Sequence, residues 1–587
     1  MRLADYVLGF LKDRGIDTAF TVCGGGAIFL CDALAKSGMR YVACHHEQAA
    51  AMAAESYARV RNGLGLAIVT SGPGGTNAIT GVAGAWTDHV PTITISGQVF
   101  SNQTINGRPG LRTVGVQEIN IVDMVRPITK YAVMVKDPKR IRYELEKAVW
   151  LAREGRPGPV WLDICADVQN AEIDPEALDG FEAPKDFPPS LNPFTFLVRE
   201  RLKTAKRPLI HIGQGVRLAG AIPELFALLD RLKCPVVTAR NGNDIIQSDH
   251  DLYIGRPGTF AQRGANFAVQ TCDFYLAIGT RLSLAQTGYN AKDYARNAYR
   301  VQVDICRAEL DKETVPLDLR ITADARDFIR ALLDESRDEA FPDWSEWLRR
   351  CKAWQAKYPP VTEDQKQGEY VNSYHLADVL SEHLTDEDVI VTDMGFAFQS
   401  FHQAFRVKIG QRFYTNCGLA SMGWGLPAAI GAAVGSGRRV ICIVGDGGMM
   451  MNVQELATIA HHNLPIKIFL LNNGGYLTMR QSQAHAFDGY MGSDENSGLS
   501  FPTFGKMAVA HGIWHWRVSA PDEVDRVAKL NLEWSGPALV EIAMDPEQPQ
   551  IPKSVNRREN GKIVQTPIED AWPYLDREEL AENLRIP

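Results

Sequence analysis

The sequence lacks several features that would place it in whole classes of protein. Its ten cysteines form no Cys-x-x-Cys pair, which argues against a zinc site or disulfide scaffold and predicts buried thiols in a reducing compartment. No apolar run is long enough to span a membrane, and the amino-terminal segment lacks the layout of a signal peptide. Acidic residues outnumber basic ones, 70 to 62, so no nucleic-acid partner is expected. We therefore expect a cytoplasmic enzyme that acts on small molecules, with no membrane partner.

What the sequence does contain is an alternation of apolar strands and helical stretches. A chain of 587 residues is too long for one hydrophobic core. The alternation predicts an α/β fold with three doubly wound domains on parallel sheets. We place these domains at residues 1–170, 190–340 and 365–548, with a Pro-rich and acidic linker at about 170–194 and a polar tail at 549–587.

The individual strands are predicted from apolar runs that end at glycine or polar residues. Helical periodicity is expected at residues 3–14, 48–61 and 343–358. The predicted strands are Thr18–Val22, Tyr41–Cys44, Leu66–Thr70, Thr92–Gly97, Val160–Ile164, Leu209–Ile212, Pro235–Thr238, Phe274–Ile278, Val301–Ile305, Val389–Thr392, Val440–Val444, Ile466–Leu471 and Ala538–Ile542.

The most informative segment is 440–476. Its first strand ends at Gly445-Asp446-Gly447, and its second ends at Asn472-Asn473. Because parallel strands of one βαβ unit end at the same edge of a sheet, we expect Asp446 and Asn473 to lie close together. Carboxylate and amide oxygens suit a Mg²⁺ ion that also binds phosphate oxygens. The alternative is a Rossmann-type unit whose polar strand ends are only turns.

The motif Gly-Asp-Gly, followed after 24 residues by Asn-Asn, resembles the signature of thiamine diphosphate (ThDP) enzymes. The stretches HEQAAAMAAESYARV, VTSGPGGTNAITGVAGAWTDHVPTITISGQV and GLASMGWGLPAAIGAA resemble the acetolactate synthase branch of that family. The resemblance covers nearly the whole chain. It implies a pyrimidine-binding domain, a central domain and a diphosphate-binding domain. It also implies active sites between the chains of a homodimer or homotetramer.

The resemblance assigns roles to residues that match family motifs. It implies that Asp446, Asn473 and the carbonyl of Gly475 hold Mg²⁺. Met422 matches the apolar residue that keeps the cofactor bent, although core packing is the commoner role of a methionine. Asn77 and Gln98 match positions near cofactor or substrate, and Asn77 is also an ordinary residue after a Gly-Pro turn. The remaining cofactor contacts fall on Gly395, Gly445, Gly447, Gly448 and Met449.

Glu47 is the candidate for proton transfer. It follows a predicted strand and begins a predicted helix. A carboxyl group withdrawn from water is suited to share a proton with a bound cofactor. The resemblance implies that Glu47 of one chain serves cofactor held by another. The alternative is that Glu47 only favours the helix N-terminus, as acidic residues do. The neighbouring His45 and His46 are expected to be structural.

Two segments near the site depart from the family pattern. The loop between Gln98 and Gln117 is longer than in the synthases, and Val116 replaces a phenylalanine. We expect Gln117 and the 100–116 loop to shape the acceptor site. Its Arg108 and Arg112 are either solvated or contact an anionic acceptor. The second departure is Gly395-Phe396-Ala397, which replaces the Gly-Gln-His of the synthases and keeps only the glycine.

The central domain matches a flavin site only in part. The segment Ile212-Gly213-Gln214-Gly215, Arg281 and Asp304 resemble family contacts to FAD. The Asp-Asp-Arg continuation of the synthases is Ser283-Leu284-Ala285 here. Two interpretations remain open, namely a retained FAD and an empty or remodelled domain.

The segments DMGFAF and SVNRRENGKIVQTPIEDAWPYLDREEL resemble a subgroup linked to surface-polysaccharide and deoxysugar pathways. This implies a carboligase that decarboxylates a 2-oxo acid, pyruvate by expectation, and transfers the two-carbon unit to a carbonyl acceptor. The acceptor would be another 2-oxo acid or a nucleotide-linked ketosugar. The alternatives are a simple 2-oxo acid decarboxylase or C–C lyase, and a cofactor-binding subunit without chemistry.

Overall fold

The computed structural model describes residues 1–105, 107–184, 190–559 and 562–586. Within these residues the chain forms three α/β units, each built on a six-stranded sheet in which every pairing is parallel. The predicted fold class is confirmed. Residues 185–189 of the predicted linker lie outside the described residues. None of the described helices is long and apolar enough to cross a membrane.

The N-terminal unit carries the Glu47 segment. Its strands are β1 (Thr18–Thr21), β2 (Arg40–Ala43), β3 (Gly65–Val69), β4 (Thr92–Gln98), β5 (Tyr131–Val135) and β6 (Val160–Cys165). Its helices are α1 (Leu3–Asp13), α2 (Ile28–Lys36), α3 (Glu47–Arg61), α4 (Pro73–Thr87), α5 (Ile121–Val125), α6 (Ile141–Arg153) and α7 (Ala166–Gln169). The strand order is β2-β1-β3-β4-β6-β5.

The strands of the central unit are β7 (Pro208–Ile212), β8 (Val236–Thr238), β9 (Tyr253–Gly255), β10 (Phe274–Ile278), β11 (Tyr299–Asp304) and β12 (Leu319–Thr322). Their order in the sheet is β12-β11-β10-β7-β8-β9. The helices are α8 (Asn192–Thr204), α9 (Gln214–Leu218), α10 (Ile222–Leu232), α11 (Arg263–Thr271), α12 (Leu284–Thr287), α13 (Arg307–Leu310), α14 (Ala325–Glu335) and α15 (Ser345–Lys357).

The C-terminal unit contains the Gly-Asp-Gly and Asn-Asn motifs. Its strands are β13 (Val389–Thr392), β14 (Arg412–Tyr414), β15 (Val440–Gly445), β16 (Ile466–Asn472), β17 (Trp514–Val518) and β18 (Ala538–Ala543). Its helices are α16 (Ser373–His383), α17 (Phe396–Ala404), α18 (Gly425–Ser436), α19 (Asp446–Met451), α20 (Glu455–His461), α21 (Leu477–Ala486), α22 (Phe504–Ala510) and α23 (Val524–Glu533). The order β14-β13-β15-β16-β18-β17 places β15 between β13 and β16.

The segment after residue 549 is more than a polar tail. It forms an antiparallel hairpin of β19 (Asn556–Glu559) and β20 (Lys562–Gln565), followed by helix α24 (Arg577–Leu584). Ile568 and Leu580 pack into the core of the central unit, and Glu569 accepts a hydrogen bond from Gln270 at 2.9 Å. The C-terminal segment is therefore a covering layer of the central unit, which the polar composition of the sequence did not indicate.

The N- and C-terminal units pack directly through α3 and α18. Helix α3 is rich in alanine and α18 is rich in alanine and glycine, so their backbones can approach closely. A Cβ atom added at Gly431 would lie 2.0 Å from the carbonyl oxygen of Ala53, so only glycine fits there. The hydroxyl of Ser56 donates to the carbonyl of Ala428 at 2.7 Å in the same interface. This close packing fixes the orientation of α3, which begins at Glu47.

The strands that the sequence did not predict share one position in the fold. Each of β5, β9, β12, β14 and β17 is an edge strand of its sheet. The interior strands β10 and β15 are continuous apolar runs, whereas the edge strand β17 reads Trp-His-Trp-Arg-Val. Periodicity therefore found the sheet centres and missed most of the edges.

The cysteines only partly follow the prediction of buried thiols. All ten are free, and six are buried. Cys23 is exposed, at the end of the loop that leaves β1.

Candidate active site

The two strand ends that were predicted to meet do meet at the carboxyl edge of the C-terminal sheet. Asp446 follows β15 directly and is 2% exposed. Its Oδ2 accepts hydrogen bonds from the backbone N–H groups of Asn473 at 3.1 Å and Gly475 at 3.0 Å. Its Oδ1 accepts from Gly447 N–H at 2.7 Å. One carboxylate thus joins the loop after β15 to the loop after β16.

Burial raises the pKa of Asp446 to about 6, against the opposing effect of the three backbone N–H groups. Removal of a carboxylate from water favours its neutral form, and N–H donors favour its charged form. A cation bound at this position would also favour the charged form. The site is therefore suited to a positive ion.

Asn473 is held by an arginine that the sequence did not single out. Arg480 is buried, and its Nη2 donates to both the carbonyl oxygen and the Oδ1 of Asn473 at 3.0 Å. The same nitrogen donates to the carbonyl of Pro546 at 2.7 Å. These contacts fix the Asn473 side chain in one orientation. A signal for Arg480 was its place one helical turn into α21, directly after the motif.

Gly475 occupies a position that only glycine fits. Its φ is +159°, and an added Cβ would lie 2.1 Å from the Ser493 carbonyl oxygen and 2.3 Å from Arg480 Nη1. The loop after β16 therefore closes tightly against the 493 segment. This brings the Gly475 backbone to Asp446, as its N–H contact shows.

The oxygen atoms at this edge fit Mg²⁺. A carboxylate at Asp446, an amide oxygen at Asn473 and a backbone carbonyl at Gly475 are hard oxygen donors. Among the described residues, no group of three or more His, Cys, Asp or Glu side chains could hold a metal ion. An ion here would therefore complete its coordination with water or with phosphate oxygens of a bound ligand.

The remaining predicted cofactor positions surround the same edge. A Cβ at Gly447 would lie 2.3 Å from the Tyr476 ring and 3.5 Å from Met422 Sδ, so Met422 lies beside the first turn of α19. Gly395 precedes α17 with φ +74°, and its missing Cβ faces Thr478 at 3.9 Å. Gly445 has open space where a Cβ would be. The Met449 side chain, in contrast, is fully buried in the core.

Asp393 is a buried carboxylate that the sequence reading did not assign. It follows β13, and its oxygens accept from Gly423 N–H at 3.0 and 3.1 Å and from Met394 N–H at 2.7 Å. An added Cβ at Gly448 would lie 2.2 Å from Asp393 Oδ2. Burial raises the pKa of Asp393 to about 6. Asp393 therefore connects the turn that carries Met422 to the first turn of α19.

Glu47 lies at the start of α3 and is largely buried. Its Oε2 accepts a hydrogen bond from Asn77 Nδ2 at 2.9 Å, and Asn77 lies on the second turn of α4. His46 caps the helix, since its Nδ1 accepts from Gln48 N–H at 3.0 Å. His45 N–H donates to Glu455 Oε1 at 3.0 Å. These contacts agree with the structural role expected for the two histidines.

The predicted acceptor residues occupy a different part of the N-terminal unit. Gln98 is buried, and its Nε2 donates to Asp163 Oδ2 and to the Ile119 carbonyl, both at 3.0 Å. Gln117 is exposed and lies against Gly72, at the start of α4. No described contact joins either residue to Asp446 or Asn473 within one chain.

The two arginines of the 100–116 loop differ in their surroundings. Arg108 donates to the carbonyls of Thr104 at 3.0 Å and Ile105 at 3.2 Å, so its guanidinium group is part of the loop itself. Arg112 is exposed, and Val116 is 91% exposed. Asn106 of this loop lies outside the described residues.

Three models of known protein families match this chain, one in each of its three α/β units. Family models match residues 1–124 as "Thiamine pyrophosphate enzyme, N-terminal TPP binding domain", 197–332 as its "central domain" and 393–542 as its "C-terminal TPP binding domain". A "Probable acetolactate synthase large subunit" of Methanocaldococcus jannaschii is 34% identical, with 94% of each chain covered. The "Acetolactate synthase isozyme 2 large subunit" of Escherichia coli is 32% identical, with 93% of this chain and 96% of that protein covered.

The chain belongs to the acetolactate synthase-like family of ThDP enzymes. The family resemblance drawn from the sequence is thus confirmed, and the protein is an enzyme of this family. Its N- and C-terminal units correspond to the two ThDP-binding domains.

In this family member a cavity of about 590 Å³ lies at the carboxyl ends of the strands of the central unit, and residues of the N-terminal unit, such as Asp88 and His89, also line it. The predicted flavin positions Gly213, Gln214, Gly215, Arg281 and Asp304 all line it, together with Ser283 and Ala285. Asp304 Oδ1 accepts from Cys306 N–H at 2.9 Å, and burial raises the pKa of Asp304. Arg240, which the sequence did not single out, also lines the cavity and donates to the Ala285 carbonyl at 3.2 Å.

Proposed function

We propose that this protein is a ThDP- and Mg²⁺-dependent carboligase. In the proposed reaction the C1–C2 bond of a 2-oxo acid, pyruvate by preference, breaks and CO₂ leaves. A new bond forms between C2 of the donor and the carbonyl carbon of an acceptor, whose oxygen takes up a proton. The observation that carries this proposal is the junction of Asp446 with Asn473 and Gly475, in a chain whose relatives are named acetolactate synthases.

The residues at this junction would hold the cofactor by its charged end. Asp446, Asn473 and the Gly475 carbonyl would bind Mg²⁺, and the N–H groups of the first turn of α19 would face the diphosphate. Met422 would support the cofactor from the side, as its position next to Gly447 allows. ThDP supplies a carbon nucleophile and an electron sink when bound.

Glu47 would provide the proton relay. The Asn77 side chain donates to one of its oxygens, which leaves the other oxygen for a ring nitrogen of the cofactor. The burial of Glu47 excludes water from that oxygen, which makes proton exchange with the cofactor more favourable.

We place each active site between two chains of a homodimer or homotetramer. In this arrangement Glu47 of one chain faces cofactor held by Asp446 of the other. Phe487 and Met491, which follow α21 near Gly475, are 71% and 84% exposed. Two large exposed apolar side chains next to a candidate site are typical of a surface that another chain covers.

The cavity in the central unit would receive FAD. Its volume is within the range of cofactor pockets. Arg240 and Arg281 would face the diphosphate, and Asp304, at the end of β11, is placed as an acidic residue that binds ribose hydroxyls. The proposed reaction needs no net redox step, so FAD would serve there as a structural group.

The acceptor is proposed to be another 2-oxo acid or a nucleotide-linked ketosugar. The test is mass spectrometry of products formed from labelled pyruvate alone and with a panel of 2-oxo acids, aldehydes and nucleotide-linked ketosugars. Carboligation gives a product that contains both carbon skeletons. A product of CO₂ and free acetaldehyde under every condition would instead identify a simple decarboxylase, and an absence of CO₂ would leave only a binding subunit.

A further inference from the structure

The loop at residues 99–118, which we call the acceptor loop, is held closed by one buried carboxylate. Glu118 is 8% exposed. Its Oε2 accepts from Val114 N–H at 2.6 Å, and its Oε1 accepts from Ile105 N–H. Because these two donors lie on opposite arms of the loop, the single carboxylate links the arms. The Gly115 N–H reinforces this link by donating to the Gln103 carbonyl at 2.8 Å.

The base of the acceptor loop is anchored separately. Ser101 donates through N–H at 2.9 Å and through Oγ at 2.5 Å to the carboxylate of Asp167, on α7. On the other arm, Gln98 Nε2 donates to the Ile119 carbonyl at 3.0 Å. The ends of the loop therefore stay in place whether or not the Glu118 link is present, so this link determines the shape of the upper part.

The consequence of this shape appears at Gln117. Gln117 has φ +68°, which is unfavourable for a residue with a side chain. Its carbonyl oxygen lies 2.7 Å from where a Cβ of Gly72 would be, and Gly72 itself has φ +59°. Gly72 directly precedes α4, the helix whose Asn77 holds Glu47. The carbonyl of Gln117 is thus held against the residue that precedes α4, while among the described residues Gln117 makes no hydrogen bond to Glu47 or Asn77.

We infer that Glu118 is a positioning residue, which fixes the acceptor loop so that Gln117 forms the acceptor side of the active site. The inference rests on the proposed carboligase function. Glu118 has no contact with the Asp446 edge among the described residues, so its effect is expected on the second half of the reaction. Donor decarboxylation depends on Glu47 and on the cofactor, which Glu118 does not touch.

The test compares Glu118→Gln with Glu118→Asp and with the control Glu200→Gln. The amide of E118Q keeps one acceptor oxygen and presents an N–H₂ group to the second backbone donor, so one arm is released. The E118D carboxylate keeps its charge but is one methylene shorter, so an intermediate effect is expected. Glu200 is an exposed partner of Lys203 on α8, and E200Q makes the same chemical change far from the loop.

Three readouts are measured on the holoenzyme with pyruvate as donor and, as acceptor, 2-oxobutanoate or, where the wild type uses it instead, a nucleotide-linked ketosugar. In E118Q we expect CO₂ release from pyruvate within about twofold of wild type and an acceptor KM raised about tenfold, as loss of one charge-assisted hydrogen bond predicts. Hydrogen exchange at the Ile105 and Val114 amides is expected to become faster in E118Q and to stay unchanged in E200Q.

The outcomes separate this inference from the proposed function. An E118Q enzyme with unchanged acceptor KM overturns the inference, and so does one in which CO₂ release and acceptor use fall equally, since that is a general structural defect. Should E118Q not fold, the same criteria apply to E118D. A wild-type protein that releases no CO₂ from any 2-oxo acid rejects the carboligase function itself, which is a different result.

Discussion

The side-chain amide of Asn77 donates a hydrogen bond to the carboxylate of Glu47 across 2.9 Å. The two residues lie on neighbouring helices, α4 and α3, and Asn77 is the side chain that orients the proposed proton-transfer group. The sequence placed each of them near the cofactor separately and did not indicate their contact.

Substitution of Glu47 by Gln is expected to lower kcat about 100-fold or more while ThDP affinity is kept, since a general acid or base contributes about 10²–10⁴-fold. Asn77→Ala is expected to lower kcat less, by about tenfold, because the carboxylate remains but loses its orientation. Initial rates of CO₂ release measure both effects, with the neighbouring half-buried Thr76→Ala as control. Equal rates for N77A and T76A would contradict a role for this hydrogen bond.

Mixing of two inactive variants tests whether the site lies between chains. Glu47→Gln and Asp446→Asn are expected to be inactive alone. After unfolding, mixing and refolding together, hybrid dimers would each contain one site with both wild-type residues. Activity of roughly a quarter of wild type per chain is then expected, because about half of randomly formed dimers are hybrids with one intact site of two. If each site lay within one chain, no activity would return.

Gly445 and Gly448, at the carboxyl end of β15, provide a matched pair of substitutions that tests the packing around Asp393. Gly448→Ala would place a methyl group 2.2 Å from Asp393 Oδ2, whereas Gly445→Ala meets open space. We expect G448A to lose about 1–3 kcal/mol of stability through overpacking and to displace the turn that carries Met422. Thermal unfolding of the apo-proteins measures this, and a Tm of G448A equal to that of G445A would refute it.

Asp163 is expected to make the stability of the folded protein fall as the pH rises. Burial raises the pKa of Asp163 from 3.8 to about 7, partly offset by hydrogen bonds from Ser96 and Gln98. The folded state therefore binds a proton more tightly than the unfolded state. Its contribution to stability is full below pH 4 and is lost as the pH rises towards 7, with an upper limit of about 4 kcal/mol. We expect the Tm of the wild type, measured across this range, to fall relative to the Tm of Asp163→Asn as the pH rises. Parallel curves would contradict the assignment.

Substitution of Asp304, the last residue of β11, tests whether the cavity binds flavin. Asp304→Ala removes one of the carboxylates that line the central cavity, and Asp311→Ala removes an exposed carboxylate that pairs with Arg307. We expect FAD affinity to fall about tenfold or more in D304A and to be unchanged in D311A, as for loss of a hydrogen bond to a charged group. Fluorescence titration with FAD measures both. Equal affinities of the two variants would contradict a role for Asp304 in FAD binding, and a wild type that binds no FAD would favour the remodelled domain.

The parts of this molecule that could be predicted from sequence are those fixed by local pattern. The interior strands β15 and β16 are uninterrupted apolar runs, so the meeting of Asp446 with the Asn473 loop followed from the parallel connection between them. The edge strand β17 and the hairpin of the C-terminal covering layer carry mixed polarity, so periodicity gave no sign of them.

The supporting side chains could not be predicted because their contacts cross long stretches of sequence. Asp393, which follows β13, accepts from Gly423 N–H 30 residues further along the chain, and Arg480 donates to the Pro546 carbonyl. An isolated acid after a strand, or an arginine on a helix, is usually a surface charge. Only the packing of distant segments makes these side chains buried and necessary.

The covering layer after residue 549 has a practical consequence for work with fragments. Ile568 and Leu580 fill the core surface of the central unit, and Asn583 accepts a hydrogen bond from the buried Trp354 indole at 3.0 Å. A fragment cut at residues 190–357 would expose that apolar surface to water and is expected to aggregate. An excised central unit should therefore be expressed together with its distant carboxyl-terminal segment, as two co-purified pieces or as a circularly permuted chain.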